Sequence, residues 1–264
     1  MPNEKKSNEK KSIENSTKRR SVALITGAAK RIGRQTAKEL HQAGFNIIIH
    51  YNLSKDAAQE LVNELNATRA DSANLIQADL TDVQEVNRLG QNSTAIFGRI
   101  DVLVNNASSF YPTPVGKVTT EQWQDLMATN LQAPFFLIQS LEKELRRCNG
   151  CVINMVDIHA ERPLLEYPVY CVAKAGLVML TKSLSRELAP KIRVNGIAPG
   201  AILWHENELT EQDKQQVLDE ISLKRLGSPK DIAKAILYLT KADYVTGQIL
   251  AVDGGRSVNG GEKA

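Results

Sequence analysis

An alternation that runs the length of the chain constrains its fold most: short apolar runs separated by longer stretches with helical spacing. The runs are SVALIT (21–26), FNIIIHY (45–51), ANLIQA (73–78), DVLVNN (101–106), CVINM (151–155), RVNGIA (193–198) and QILAVD (248–253). Between them, segments such as RQTAKELHQA and AAQELVNEL place apolar residues on one face of a helix. Strands alternating with helices predict βαβ units, hence an α/β fold with a doubly wound parallel sheet of about seven strands flanked by helices. No break in composition divides the chain. The expected organisation is one domain over residues 21–258, a disordered basic tail at 1–20 and a short tail at 259–264.

Charge narrows the partners. Of the 33 Lys/Arg and 30 Asp/Glu, the first twenty residues hold seven and three, which leaves 26 against 27 on the remainder. A nearly neutral folded part argues against a nucleic-acid-binding face. The tail repeats NEKKS and has no apolar periodicity, so it reads as a solvated leader. No run of eighteen apolar residues occurs, and the tail holds no apolar stretch that could act as a signal peptide. The expectation is a cytoplasmic protein with no membrane partner. Three cysteines cannot build a disulfide framework, and Cys148 and Cys151 form a lone C-x-x-C whose second member opens an apolar strand, so no metal is expected.

Sheets of this kind bind ligands at the carboxyl ends of their strands. The first run leads into TGAAKRIG (26–33) and a helix. Gly27 suits the sharp turn, Gly33 permits close packing, and the helix amino terminus offers N–H groups to a pyrophosphate, with Arg31 and Ile32 beside it. The second run ends HYNLSK (50–55), with no Asp or Glu to hold a ribose 2′-hydroxyl. His50, Asn52, Ser54 and Lys55 suit a 2′-phosphate instead, which favours NADPH over NADH, and Tyr51 among them is a further candidate cofactor contact. Asp79 and Leu80 follow the third run as candidate adenine contacts. Asn106, Ala107 and Ser108 follow the fourth, where small residues admit a ligand close to the backbone. Phe110 in that loop is either a stacking platform for a flat ring or an anchor in the core.

Tyr170 and Lys174 lie at i and i+4 on one helix face, directly after the fifth run. An ammonium beside a phenol is expected to lower the phenol's pKa toward a value useful for proton transfer.

TGAAKRIG, the triplet Asn105-Asn106-Ala107, Asn130 in TNLQAP, Tyr170-x-x-x-Lys174, Pro199-Gly200 and the closing TGQILAVDGG together resemble the short-chain dehydrogenase/reductase family, from residue 21 to 255. The resemblance implies a Rossmann-type fold, a homotetramer formed through the long helices after strands four and five, cofactor contacts from Pro199 and Gly200, and catalysis by Asn130, Tyr170 and Lys174. In that family a Ser normally stands about thirteen residues before the Tyr; here Asp157 does. A carboxylate there repels the oxyanion of a reduced ketone but suits a ring C=N, whose nitrogen needs a proton. The alternative is that His159 or Ser108 supplies the missing hydroxyl's role. Arg31, NNASSFYPTP with Phe110, and NMVD before Arg162-Pro163-Leu164-Leu165 resemble the pteridine reductase branch. That likeness implies a pterin or folate substrate stacked on Phe110, Arg31 facing cofactor and substrate, Ser108 and Asp157 beside the substrate, and catalysis by Asp157 with Tyr170. It also makes binding of antifolates an expectation. The rival readings are a carbonyl reductase such as a 3-oxoacyl thioester reductase, and a non-catalytic NADPH sensor that uses the basic tail. Trp204 and His205 fall in a stretch read as a flap over the substrate.

Overall fold

The computed structural model describes residues 20–203 and 210–259, so the tail at 1–19, the stretch holding Trp204 and His205, and residues 260–264 lie outside the described residues. One seven-stranded sheet runs through the molecule in the order β3-β2-β1-β4-β5-β6-β7, every neighbouring pair parallel. The strands are β1 (Val22–Ile25), β2 (Asn46–Tyr51), β3 (Ala73–Gln77), β4 (Val102–Asn105), β5 (Cys151–Met155), β6 (Arg193–Pro199) and β7 (Ile249–Val252). Each apolar run of the sequence is one of these strands.

The helices are α1 (Arg31–Gln42), α2 (Lys55–Thr68), α3 (Val83–Phe97), α4 (Thr120–Met127), α5 (Ala133–Cys148), α6 (Pro168–Glu187), α7 (Glu211–Glu220) and α8 (Pro229–Lys241), with a π-helical turn at Ala128–Gln132. Side chains of a strand point alternately to its two faces. Ala23, Ile25, Ile47 and Ile49 therefore join Ala37, Leu40, Leu61 and Ile236 from α1, α2 and α8 in one core layer. Val22, Leu24 and Ile48 join Leu89, Leu137, Leu141 and Leu188 in the opposite layer. Both faces are covered, which is why the runs show no polar alternation.

Strand order reverses between β1 and β4, so the carboxyl ends of these two neighbours diverge from each other's helices and open a crevice. Arg193 ties the supporting layer together: its guanidinium donates to the carbonyls of Leu239, Thr240 and Val245 at 3.0–3.1 Å. It thereby caps the carboxyl end of α8, the helix that packs on α1. Arg193→Met leaves those carbonyls without their charged donor and is expected to cost about 2 kcal/mol. That corresponds to a fall in thermal midpoint of about 4–8 °C; an unchanged midpoint in a thermal melt contradicts it.

Candidate active site

The turns after β1 and β4 are laced to each other at the crevice. Thr26 Oγ1 accepts from the backbone N–H groups of Asn106 and Ala107 at 2.9 and 3.0 Å, and Asn106 Nδ2 donates back to the carbonyls of Thr26 and Gly27 at 2.9 and 3.1 Å. Gly27 has φ +59°, a conformation that suits glycine. A Cβ on Gly33 would lie 2.7 Å from Asn106 Nδ2 and 2.8 Å from Ala28 Cα, so only glycine lets α1 approach this closely. No described side chain caps the amino terminus of α1, whose first N–H groups face the crevice mouth as anion donors. Arg31 is exposed and held at φ +51°, a left-handed conformation that costs an arginine about 1–2 kcal/mol. Such strain at a crevice mouth fits a residue placed for a ligand. These features match the needs of a dinucleotide pyrophosphate.

His50 corrects the expectation that it faces a 2′-phosphate. Its ring is buried; Nδ1 accepts from Gly27 N–H at 3.1 Å, and Nε2 pairs with Ala78 O at 3.0 Å. The first contact makes Nδ1 unprotonated, so Nε2 is the donor and the ring is neutral. Burial pushes its pKa down to about 4, against the pull of Ala78 O and Asp79. Tyr51 is likewise buried in the core. What the end of β2 presents outward is Asn52, Ser54 and Lys55, together with the amino terminus of α2, which no described side chain caps. At the end of β3, Asp79 is half-buried and accepts from Thr81, and Leu80 is buried. Gly200 follows Pro199 and donates to Val252 O; a Cβ on it would lie 2.6 Å from Asp253 Cβ.

The carboxyl end of β5 and the start of α6 bring Asp157, Tyr170 and Lys174 together. Asp157 caps a 3-10 turn, Ile158–Ala160: Oδ1 accepts from His159 N–H at 2.8 Å, and Oδ2 accepts from the Tyr170 hydroxyl at 2.8 Å. Lys174 is buried, donates to Met155 O at 2.9 Å and lies 5.5 Å from the centroid of the Tyr170 ring. Burial depresses its pKa to about 8 in spite of Asp157. The expected lowering of the Tyr170 pKa by Lys174 is reversed here. Burial raises it well above 10, the Asp157 carboxylate raises it further, and Ser108 opposes them through a hydrogen bond. Burial first, and then the Asp157 carboxylate that accepts its hydrogen, favour the protonated phenol.

Phe110 stands at this site as well. It stacks on Tyr167 with centroids 4.5 Å apart and meets Tyr170 edge-on at 4.8 Å. Asn130 does not join Tyr170 and Lys174 directly. Its amide donates to Ser109 O and Leu126 O at 3.0 Å each, and its Oδ1 accepts from Ser108 Oγ at 2.6 Å. His159 is turned away, with Nδ1 on Arg162 O at 2.9 Å. Two roles escaped the sequence reading: Thr26 as the clasp of the crevice, and the chain Asn105–Asn154–Thr181, linked at 2.8 and 2.9 Å, that ties β4 and β5 to α6. Their only sequence signal was a polar residue inside or just after an apolar run. Cys148, Cys151 and Cys171 are free thiols, and no cluster of metal-ligating side chains occurs among the described residues.

Comparison with known proteins agrees with this geometry. A family model described as Enoyl-(Acyl carrier protein) reductase matches residues 27–257. The 3-oxoacyl-acyl-carrier-protein reductase FabG of Staphylococcus epidermidis is 38% identical over 238 residues, covering 88% of this chain and 97% of the relative. Pteridine reductase 1 of Leishmania tarentolae is 35% identical over 280 residues, covering 90% and 96%. An uncharacterised oxidoreductase, YmfI of Bacillus subtilis, is 34% identical over 239 residues, covering 89% and 98%. The chain belongs to the short-chain dehydrogenase/reductase family. It is an oxidoreductase of a family that works with a nicotinamide cofactor, and no described helix is long and apolar enough to cross a membrane.

His50 yields a prediction that needs no ligand. Between pH 6.5 and about 4 the unfolded chain binds a proton that the folded ring refuses. Stability from this group is therefore full above 6.5 and falls as pH drops, by about 3 kcal/mol across the window. NMR of the assigned His50 ring should show no protonation from pH 7 to 5.5; titration near 6.5 contradicts the brace.

Proposed function

We propose that this chain is an NADPH-dependent pteridine reductase, which passes hydride to a ring C=N of a pterin or folate. The observation that carries the reading is the 2.8 Å hydrogen bond from the Tyr170 hydroxyl to Asp157 Oδ2. A carboxylate at that place has no hydrogen for a ketone oxygen and opposes the growing charge of an oxyanion. It accepts N–H donors of an aminopteridine readily, and it keeps Tyr170 protonated for delivery to nitrogen.

The bound cofactor supplies the hydride. The residues do the rest. The α1 amino terminus, Gly27, Gly33 and Arg31 hold the pyrophosphate; Asn52, Ser54, Lys55 and the α2 amino terminus favour a 2′-phosphate. Phe110, which stacks on Tyr167 in this structure, would offer the flat ring an aromatic face beside Tyr170 on parting from Tyr167. Tyr170 transfers its proton to the ring nitrogen, and buried Lys174 offsets the negative charge of the Asp157–Tyr170 pair. Biopterin, dihydrobiopterin, dihydromonapterin and dihydrofolate are the candidate substrates.

A second reading is reduction of a 3-oxoacyl thioester, a C=O reaction. Overall similarity backs it better than it backs the pterin reading: the family description and the relative of higher identity both carry acyl-carrier-protein names. The residues at the reacting centre favour the first. Either reading fits a homotetramer that is cytoplasmic. A depression of about 900 Å³ on the α4–α6 face, lined by Trp123, Met127, Leu131, Phe135 and Met179, offers an apolar surface for a second copy.

The test is the rate of NADPH oxidation by purified protein with each of the four pteridines, with acetoacetyl-CoA, and with NADH as the cofactor control. Pterin turnover with NADPH preferred is the expected result. Turnover of acetoacetyl-CoA without pterin turnover replaces the first reading by the second. In the same assay Tyr170→Phe is expected to lose at least about 10²-fold in rate, and retained activity removes Tyr170 from the proton path.

A further inference from the structure

None of the ten residues of α7 is buried, so apolar packing does little to place this helix. Its carboxyl end is fixed instead by the turn that follows β7. Asp253 shapes that turn, accepting from the backbone N–H groups of Gly255 and Ser257 at 3.0 and 2.6 Å. Within it Arg256 faces two ways. Its guanidinium donates twice to Oε2 of Glu220, the last residue of α7, at 3.0 and 2.8 Å. Its carbonyl accepts from the guanidinium of Arg162, in the loop after β5.

Arg162 leads on to the reacting centre. Its own carbonyl accepts from His159 Nδ1–H at 2.9 Å, since a carbonyl oxygen can only accept. The His159 backbone N–H donates to Asp157 Oδ1 at 2.8 Å, and Asp157 Oδ2 takes the Tyr170 hydrogen at 2.8 Å. An unbroken line of contacts, Glu220–Arg256–Arg162–His159–Asp157, therefore runs from α7 to the carboxylate. It also crosses three strand ends, because α7 follows β6, Arg256 follows β7 and Arg162 follows β5. The bond to Oδ1 fixes how the carboxylate is turned. Hydrogen bonds weaken steeply as they bend, so a small shift of the turn that carries His159 aims Oδ2 away from the phenol.

We propose that Arg256 and Arg162 are positioning residues that couple α7 to Asp157, so that the place of α7 sets how squarely the carboxylate meets the Tyr170 hydroxyl. A substrate that moves α7 thereby moves the carboxylate. The effect on rate rests on the role given to Asp157 above; the coupling itself does not, and it is measurable without substrate.

The test uses full-length protein carrying Glu220→Ala, Arg162→Met or both, followed first by amide hydrogen exchange with no substrate present. The amides of residues 159–162 are all bonded within the Asp157 turn. Each single variant is expected to speed their exchange about tenfold, and the double variant no further, because the line is already cut. Glu220→Gln keeps an acceptor for Arg256 and should exchange near the wild-type rate. Wild-type exchange at 159–162 in Glu220→Ala overturns the proposal, as do effects of the two substitutions that multiply in the double variant. The same proteins are then assayed with NADPH and both dihydrobiopterin and acetoacetyl-CoA. In Glu220→Ala kcat is expected to fall about fivefold on whichever substrate turns over, with KM changed less, and adding Arg162→Met should cost nothing more. A raised KM with kcat intact contradicts the reach to Asp157 and also overturns the proposal. Absence of pterin turnover beside thioester turnover counts against the proposed substrate alone, and the exchange result still decides the coupling.

Discussion

A parallel sheet covered on both faces leaves a polar ligand only one place to go, the row of strand ends. Everything functional in this molecule follows from that constraint. The faces are filled by two apolar layers, so the groups that could hold charge are pushed to the carboxyl edge, where Thr26, Asn106, Asp157 and Pro199 emerge within one crevice. Burial is therefore also the source of the electrostatics. Lys174 and Tyr170 stand just inside the edge, where desolvation is the first cause of both their shifts and moves each toward its neutral form.

Around these groups the crevice is stiffened by hydrogen bonds that cross long distances in sequence. Thr26 clasps the loop after β4, His50 braces the turn after β1 against the end of β3, and Asn154 links β4 and β5 to α6. Each is buried or nearly so, and each satisfies a polar atom that would otherwise weaken the edge. A rigid edge is what lets a single carboxylate, Asp157, act on a single phenol. With Oδ1 held by the His159 N–H, Oδ2 has a fixed direction.

Much of this was legible in the sequence, and the failures have physical causes. The strands were readable because buried parallel strands are apolar without interruption, and all seven runs became strands within a residue or two. The pairing of Tyr170 with Lys174 was readable because i and i+4 share a helix face. His50 was misplaced because a strand end shows which residues are last, but not which turn inward; Asn52 and Lys55 face out and His50 does not. The direction of the Tyr170 shift was misjudged because spacing gives no distances. Lys174 hydrogen-bonds a backbone carbonyl while Asp157 takes the phenol's hydrogen. The Ser108–Asn130 contact spans 22 residues and depends on a π-helical turn, for which no sequence pattern was available.

The central claim is that the carboxylate at position 157 sets the chemistry of the site. The most direct measurement is the ratio of kcat/KM for dihydrobiopterin to that for acetoacetyl-CoA in the wild-type protein and in Asp157→Ser. The account predicts that pterin reduction falls steeply in the variant and that the ratio shifts toward the ketone, because Ser donates to an oxyanion and no longer holds the phenol's hydrogen as a carboxylate does. An unchanged pterin rate in Asp157→Ser contradicts it.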